Sequence, residues 1–309
     1  MSGFTQYTLA LCAILLLASL AGLVCEKAGV VNIGIEGMMT IGALIVAMIG
    51  SSINKDSSNV HNGSQIWVVL VAGLMTGIFA MLHAFPSITL RSNQIISGTA
   101  INILALGLGM FFATSRIFGD QGSVISTFYI PIYIGSVIPI WLIFAILIAV
   151  GLMLFFKFSK QGMRYAMVGE NPNAVDAAGV NVNKYRYIAV FCSGVLAGLA
   201  GGVMITTVVM GGNFGGTTMG MGFLAMAIMI FGQWKIHWIS LGVVIFAFLF
   251  TLGSRLGTLS FIPEGSWLIT GSTIFKVLPF VITIITMVIF SKSSRAPAAN
   301  GVPFDKSKR

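Results

Sequence analysis

Charge is what this sequence has least of. Eight acidic and seventeen basic residues are spread over 309 positions, so 8% of the chain is charged while 57% is hydrophobic, with a mean hydropathy of +0.98. A soluble domain carries about 25% charged residues because its surface must stay wetted. A chain this poor in charge cannot cover itself with polar groups, and its solvent is therefore lipid. The thirty-seven glycines agree, since glycine lets membrane helices approach closely. The fold class that follows is an all-α, polytopic membrane protein.

The motifs of catalysis are missing too. No Gly-Lys dipeptide occurs, which removes the G-x-x-x-x-G-K-[ST] phosphate loop and excludes a P-loop ATPase within the chain. His61, His83 and His237 lie far apart without H-E-x-x-H spacing, so no zinc site is expected. Cys12, Cys25 and Cys192 lack C-x-x-C spacing and read as buried apolar side chains. The G-x-S-x-G elbow of serine hydrolases is absent as well. Membrane enzymes carry clusters of acids, histidines or cysteines at the bilayer edge, and none is visible. Transport without a cofactor is the better class, and the chain is not expected to be an enzyme.

What is there is a series of apolar runs. Crossing the hydrocarbon core takes about 17–25 residues. Runs of that kind lie near 7–24, 38–53, 66–85, 95–114, 138–156, 187–210, 221–234, 237–253 and 276–290, about nine spans. Three of these are short (38–53, 221–234 and 276–290), which suggests Gly-rich approaches or broken helices. With the N-terminus outside, the inner segments hold Lys27, Arg91, Lys157, Lys160, Arg164, Lys184, Arg186, Lys235, Lys292, Arg295, Lys306, Lys308 and Arg309. The outer segments hold Lys55, Arg116, Arg255 and Lys276. That asymmetry fixes the orientation and leaves the C-terminus cytoplasmic. It also accounts for the net charge of +9 without a nucleic-acid partner. The first run is not preceded by a basic segment, so it is expected to remain as a span rather than a cleaved signal. Segment 54–65 is expected to be an external loop. The tail 291–309 is basic and Pro/Ala-rich, and is expected to be a disordered cytoplasmic end.

One polar stretch, "GENPNAVDAAGVNVNKYRY" (169–187), interrupts the apolar pattern. Asn171-Pro172 is a helix start, because asparagine caps free N–H groups and proline at the first position lacks an N–H that would be orphaned anyway. Gly179 is a stop, because glycine takes the left-handed conformation at low cost. About two turns of helix result, too short to persist without a partner. The charge asymmetry puts this helix in the cytoplasm.

The segment "GMRYAMVGENPNAVDAAGVNVNKYR" (162–186) resembles the cytoplasmic loop of permease subunits of ATP-binding-cassette importers. The nearest group is the one for nucleosides and simple sugars, related to the ribose and branched-chain amino-acid permeases. "EKAGVVNIGIEGMMTIGA" (26–43) and "NQIISGTAINILALGL" (93–108) resemble the same family. The resemblance implies a cytoplasmic helix that docks in a groove of a separate ATPase subunit. Asn171, Pro172, Asp176, Ala177, Ala178 and Gly179 would form it, the last four standing where such permeases carry an acid-Ala-Ala…Gly coupling signature. It also implies two permease chains per pore, unlike chains in the nucleoside branch, and an extracellular solute-binding lipoprotein.

Polar residues at membrane depth are the candidates for a solute pathway. In "VNIGIEGMMTIGA" (31–43), Asn32 and Glu36 stand among glycines where a span begins. Irregular backbone there is tolerated only inside protein or along a wet cavity, and a carboxylate there is a functional candidate. Glu36 suits two roles equally, capping the start of its span or lining a pathway. Glu26 and Lys27 read as an interfacial ion pair. A second interruption, "GGNFGGTTMGMG" (211–222), matches the first in outline, Asn32-x-Gly34 against Asn213-x-Gly215. The two enter from opposite sides, as paired broken segments of an inverted repeat do, and such pairs point at a substrate site. Gln94, Gly98, Asn102, Ala105 and Gly109 share one helical face. Its glycines and alanine suit a packing seam. The amides of Gln94 and Asn102 suit a pathway for a hydroxyl-rich solute, or a neighbouring-subunit interface.

The expected architecture is a permease domain over 1–290, with inverted halves at about 1–130 and 158–290. A coupling loop lies at 158–186 and the tail at 291–309. The expected function is the permease subunit of an ATP-driven importer in the cell membrane, moving nucleosides or, second, simple sugars. The rival class is an ion-coupled secondary transporter, which would need acids or a cation cage at mid-membrane.

Overall fold

The computed structural model describes residues 2–54, 57, 60–115, 124–255, 271, 273–289 and 296–305. Lys55, Arg116, Lys292, Arg295, Lys306, Lys308 and Arg309 of the charge count lie outside the described residues. Helices run α1 (Ser2–Lys27), α2 (Ile35–Ile53), α3 (Ser64–Phe79), α4 (Met81–Ala84), a π-helical turn Phe85–Thr89 containing Pro86, and α5 (Gln94–Thr114). After a short β segment come α6 (Ile140–Phe158), α7 (Lys160–Glu170), α8 (Pro172–Ala177), α9 (Val182–Ile205), α10 (Met221–Phe231), α11 (Ile236–Arg255) and α12 (Thr273–Ile289). Side-chain caps start four of them: Asn93, Ser159, Asn171 and Asn181 each accept a bond from an amide in the following turn.

Seven helices among the described residues are long and apolar enough to cross a membrane, 3–27, 35–53, 64–89, 94–114, 140–158, 182–205 and 236–255. The expected runs 221–234 and 276–290 correspond to the shorter α10 and α12. α1 is apolar on every side and 89% buried over its most hydrophobic stretch, so it forms the centre, enclosed by α6, α9, α10 and α11. α9 packs on α1, α2 and α3. Small residues make that packing possible: a Cβ on Gly42 would overlap the backbone of Gly198, and one on Gly201 would overlap the carbonyl of Met39. By contrast, α5 and α6 are only 22% and 17% buried within the chain, so most of their surface faces lipid or another chain.

α10 is not a complete span. Ser19 of α1 donates to the carbonyl of Ala225 (2.9 Å), and the Trp234 indole donates to Glu26 (2.6 Å), so α10 descends alongside α1 in the same direction. That register sets the first residue of α10 level with the middle of α1. Eleven residues reach about 16 Å, half of a hydrocarbon core of about 30 Å. The chain before it, 206–220, therefore folds back into the bundle from one end. The chain before α2, 28–34, does so from the other.

The two ends differ. One carries α7 and α8, with Lys27, Arg91, Lys157, Lys160, Arg164, Lys184, Arg186 and Lys235. At the opposite end two antiparallel ladders, each of two-residue strands, join Ile125–Ser126 (β1) to Asn213–Phe214 (β4) and Tyr133–Ile134 (β2) to Ile138–Pro139 (β3). Asn54, in the segment expected to be a solvated loop, is buried there and donates to the carbonyl of Thr127 (2.8 Å).

Two expectations are corrected here. Glu26 is not the ion-pair partner of Lys27. Its carboxylate accepts from Trp234 (2.6 Å) and Asn300 (2.9 Å), while Lys27 lies 5.5 Å from the centre of the Phe156 ring. Nor is the described part of the tail disordered. Residues 296–305 bind across the α7–α8 end, because Asn300 and Phe304 find buried partners that composition does not reveal.

Candidate functional site

The two broken segments meet at Glu36. It occupies the first turn of α2 and is 8% exposed. Its Oε1 accepts from the Gly220 amide (2.8 Å) and the Thr218 hydroxyl (2.8 Å), and its Oε2 accepts from the Gly222 amide (2.6 Å). Gly220 is the N-cap of α10, at φ +81°, where a side chain would be strained. The carboxylate thus faces the positive end of α10 and takes the Gly220 and Gly222 amides, while the Met221 amide between them donates to the Thr218 carbonyl (3.2 Å). Of the two roles open to Glu36, the geometry gives it a cap, but on α10 rather than on its own helix. Thr40, one turn on, shares a 3.1 Å hydrogen bond with Thr218 and closes the junction.

The start of α2 is held from α5. The Asn102 side chain accepts from the Gly37 amide (2.8 Å) and donates to the carbonyl of Ile33 (2.9 Å), spanning the break on both sides. Gln94 accepts from the Val31 amide (2.7 Å). From the other side of the same residue, His83 Nε2 donates to the Val31 carbonyl (3.1 Å), which leaves Nδ1 to accept from Ser97 (2.9 Å). Gly98 and Gly109 of the same face lie against Gly34 and Gly216, a packing seam. Asn32, 1% exposed, donates to Ser193 of α9 (2.9 Å). Asn32 Oδ1 and Gln94 Nε2 are buried without a protein partner. Two unmet polar atoms beside irregular backbone are what a solute or water-lined passage would leave.

Asn213 stands apart. It is exposed in β4 and accepts from Ser126 (2.8 Å), so the outline match with Asn32 does not bring the two asparagines to one place. Sequence reasoning passed over His83, Thr40, Thr218 and Ser193. Thr218 lies inside the glycine-rich stretch 211–222; the lone His83 offers no signal beyond its place in an apolar run.

α8 begins and ends where the sequence indicates. Asn171 accepts from the Ala174 amide (3.0 Å), Pro172 is the first helical residue, and Gly179 follows the helix at φ +80°. Val175 faces inward onto Val168, Val182 and Phe304. Ala174, Ala177, Ala178 and Gly179 are exposed, and Asp176 is half-buried. Beneath α8, the Tyr165 hydroxyl of α7 donates to Val24 at the end of α1 (2.7 Å), and burial pushes that phenol's pKa well above its ordinary value. α8 thus turns Val175 inward and presents an exposed face of small residues.

Comparison with known proteins gives these two features a context. The family model for the permease component of branched-chain amino acid transport systems matches residues 4–287. The guanosine ABC transporter permease protein NupQ of Bacillus subtilis is 34% identical, with 98% of this chain and 96% of the relative aligned. The nucleoside ABC transporter permease protein NupC of Lactococcus lactis is 33% identical over 95% and 94% of the two chains. A putative glucose ABC transporter permease protein, TsgC13 of Haloferax volcanii, is 32% identical over 84% and 79%. No solved structure matches the chain.

Proposed function

The chain belongs to the family of branched-chain amino acid transport system permease components, and on that premise we propose that it carries nucleosides past the junction of its two broken segments. It is a multi-pass membrane protein, the permease subunit of an ATP-driven transporter, and works with an ATPase partner. The observation that carries the solute class is likeness over nearly the whole chain to two permeases named for guanosine and for nucleosides. The pathway would run beside Asn32, Glu36, Gln94 and Asn102, whose groups hold the irregular backbone at mid-bundle. Glu36 acts in this reading by keeping the two broken segments together, and Asn213 stands at the outer mouth.

The ATPase docks on the small-residue face of α8, made by Ala177, Ala178 and Gly179 beside Asp176. The basic α7–α8 end is cytoplasmic, which puts the C-terminus there too. Halves of about 1–130 and 158–290 rock against each other around α6. A second, unlike permease chain completes the pore on the exposed faces of α5 or α6, and a lipoprotein delivers the solute from outside.

The test is reconstitution of the complex in proteoliposomes with radiolabelled guanosine. ATP-dependent uptake competed by other nucleosides is expected. ATP-driven glucose uptake indifferent to nucleosides would move the assignment to sugars, the reading favoured by the third relative. Uptake driven by an ion gradient without the ATPase would remove the reading altogether.

A further inference from the structure

We propose that residues 296–305 are a working part of the coupling junction, a strap that ties α8 to the inner ends of both halves. The inference rests on the reading of α8 as the ATPase contact. Among the described residues, the helices that α8 packs on most are α7 and α9. The strap adds connections to the rest of the bundle one after another. Ala299 donates its amide to Gly169 of α7 (2.8 Å), and the Asn300 side chain donates to Glu26 of α1 (2.9 Å). The same Glu26 oxygen accepts from Trp234, in the turn between α10 and α11. Arg186 of α9, fully buried, donates to the Val302 carbonyl (2.9 Å), while its Nε and Nη2 have no hydrogen-bond partner. Phe304 inserts between Val175 of α8 and Val168 and Val182.

The last contact is the most telling. Asp305 forms a 2.8 Å ion pair with Arg91, a non-glycine residue in the left-handed region at φ +54°. Arg91 lies two residues before Asn93, the cap of α5, and α5 carries Gln94 and Asn102, which hold the broken segment before α2. Phe304 and Asp305 are adjacent. One touches the helix that meets the ATPase, and the other touches the root of the helix that clamps the pathway. A displacement of α8 is therefore delivered to α5 and, through Asn300 and Glu26, to α1 and the foot of α10. A segment bound at each of these points can carry motion between them, because each contact is a discrete packed or hydrogen-bonded arrangement.

The experiment uses the full complex with its ATPase in proteoliposomes and reads ATP hydrolysed per solute moved. Phe304→Ala and Arg91→Asp are each expected to raise that ratio roughly 2- to 30-fold with the ATPase still bound, the range of single contacts along a coupling network. Phe304→Leu, which keeps an apolar plug, is expected to hold the ratio near that of the parent. The exchange Arg91→Asp with Asp305→Arg is expected to restore it. A chain ending at Ala296 is expected to hydrolyse ATP with little uptake; if it fails to assemble, the point variants decide. Parent-like ratios in Phe304→Ala and Arg91→Asp overturn the proposal. Ala177→Trp, run alongside, separates the two readings: if it too is silent, α8 is not the contact, whereas if it alone uncouples, only the strap is lost.

Discussion

Glu36 Oε2 lies 2.6 Å from the amide nitrogen of Gly222, so a carboxylate at the start of α2 caps a helix 186 positions further along the chain. Glu36→Gln keeps the size of the side chain but replaces one acceptor oxygen by a donor that would face the α10 amides. A charge-assisted hydrogen bond contributes about 1.5–3 kcal/mol, and that is the expected loss of stability. Thermal unfolding of the purified complex checks it, together with uptake at least tenfold slower. Parent-like melting and uptake would leave the carboxylate without a role at this junction.

Gly222 is required by the same contact. A Cβ there would stand 2.6 Å from the Glu36 backbone nitrogen and Cα, atoms that cannot rotate aside. Gly222→Ala is expected to destabilise by about 1–3 kcal/mol and to impair uptake. Gly215→Ala is the control, since nothing lies within 4 Å of a Cβ at that exposed position. Equal melting temperatures for the two variants would overturn the close-approach argument.

Asn102 meets two backbone groups that a break in the helix leaves open. Asn102→Leu strands the Gly37 amide and the Ile33 carbonyl, each at a cost of about 1–3 kcal/mol if buried without water. Asn102→Asp keeps the acceptor and loses the donor, so it should fall between the two. Ranking the three proteins by melting temperature and by guanosine uptake tests this order. Leu and Asn behaving alike would reduce the amide to a seam residue like Gly98.

These examples show what was legible in the sequence and what was not. Local chemistry was readable: Asn171-Pro172 announced α8, Gly179 ended it, and the Gln94–Gly109 face lay where a 3.6-residue period puts it. The residue types at the breaks were readable too, because a carboxylate and an amide among glycines stand out from an apolar background. Partners were not. Nothing at Glu36 names Gly222, since a cap from another helix depends on how the two breaks face each other in space. The separation of Asn213 from Asn32 was hidden for a related reason, because an outline match compares order along the chain and says nothing of burial. Composition also misled in the tail, where a Pro/Ala-rich stretch carries two side chains, Asn300 and Phe304, whose partners come from α1, α7, α8 and α9.

Orientation can be read directly. In a background with Cys12, Cys25 and Cys192 replaced, Ser57→Cys and Ala178→Cys place thiols at exposed positions on opposite ends. A membrane-impermeant maleimide should label the first in intact cells and the second only in inverted vesicles. Labelling of both from one face would contradict the assignment of the basic end to the cytoplasm.

α8 makes opposite demands of its two faces, and that gives the sharpest test. Val175 packs inward on Val168, Val182 and Phe304, so Val175→Ala removes buried methyl groups worth about 0.8 kcal/mol each and should lower the melting temperature. Ala177 is exposed, so Ala177→Trp should leave folding intact and act only on whatever approaches from outside. If that is the ATPase, bulk at Ala177 blocks close approach, the ATPase no longer co-purifies in full, and uptake fails while the permease remains inserted. Asp176→Lys, reversing a charge at the edge of the same face, should weaken co-purification in the same direction. A helix that serves only its own chain predicts the same damage from Val175→Ala but none from Ala177→Trp. Co-purification of the ATPase and uptake, measured on the same preparations, separate the two patterns. Full ATPase recovery with parent-like uptake in Ala177→Trp would take this helix out of the coupling mechanism.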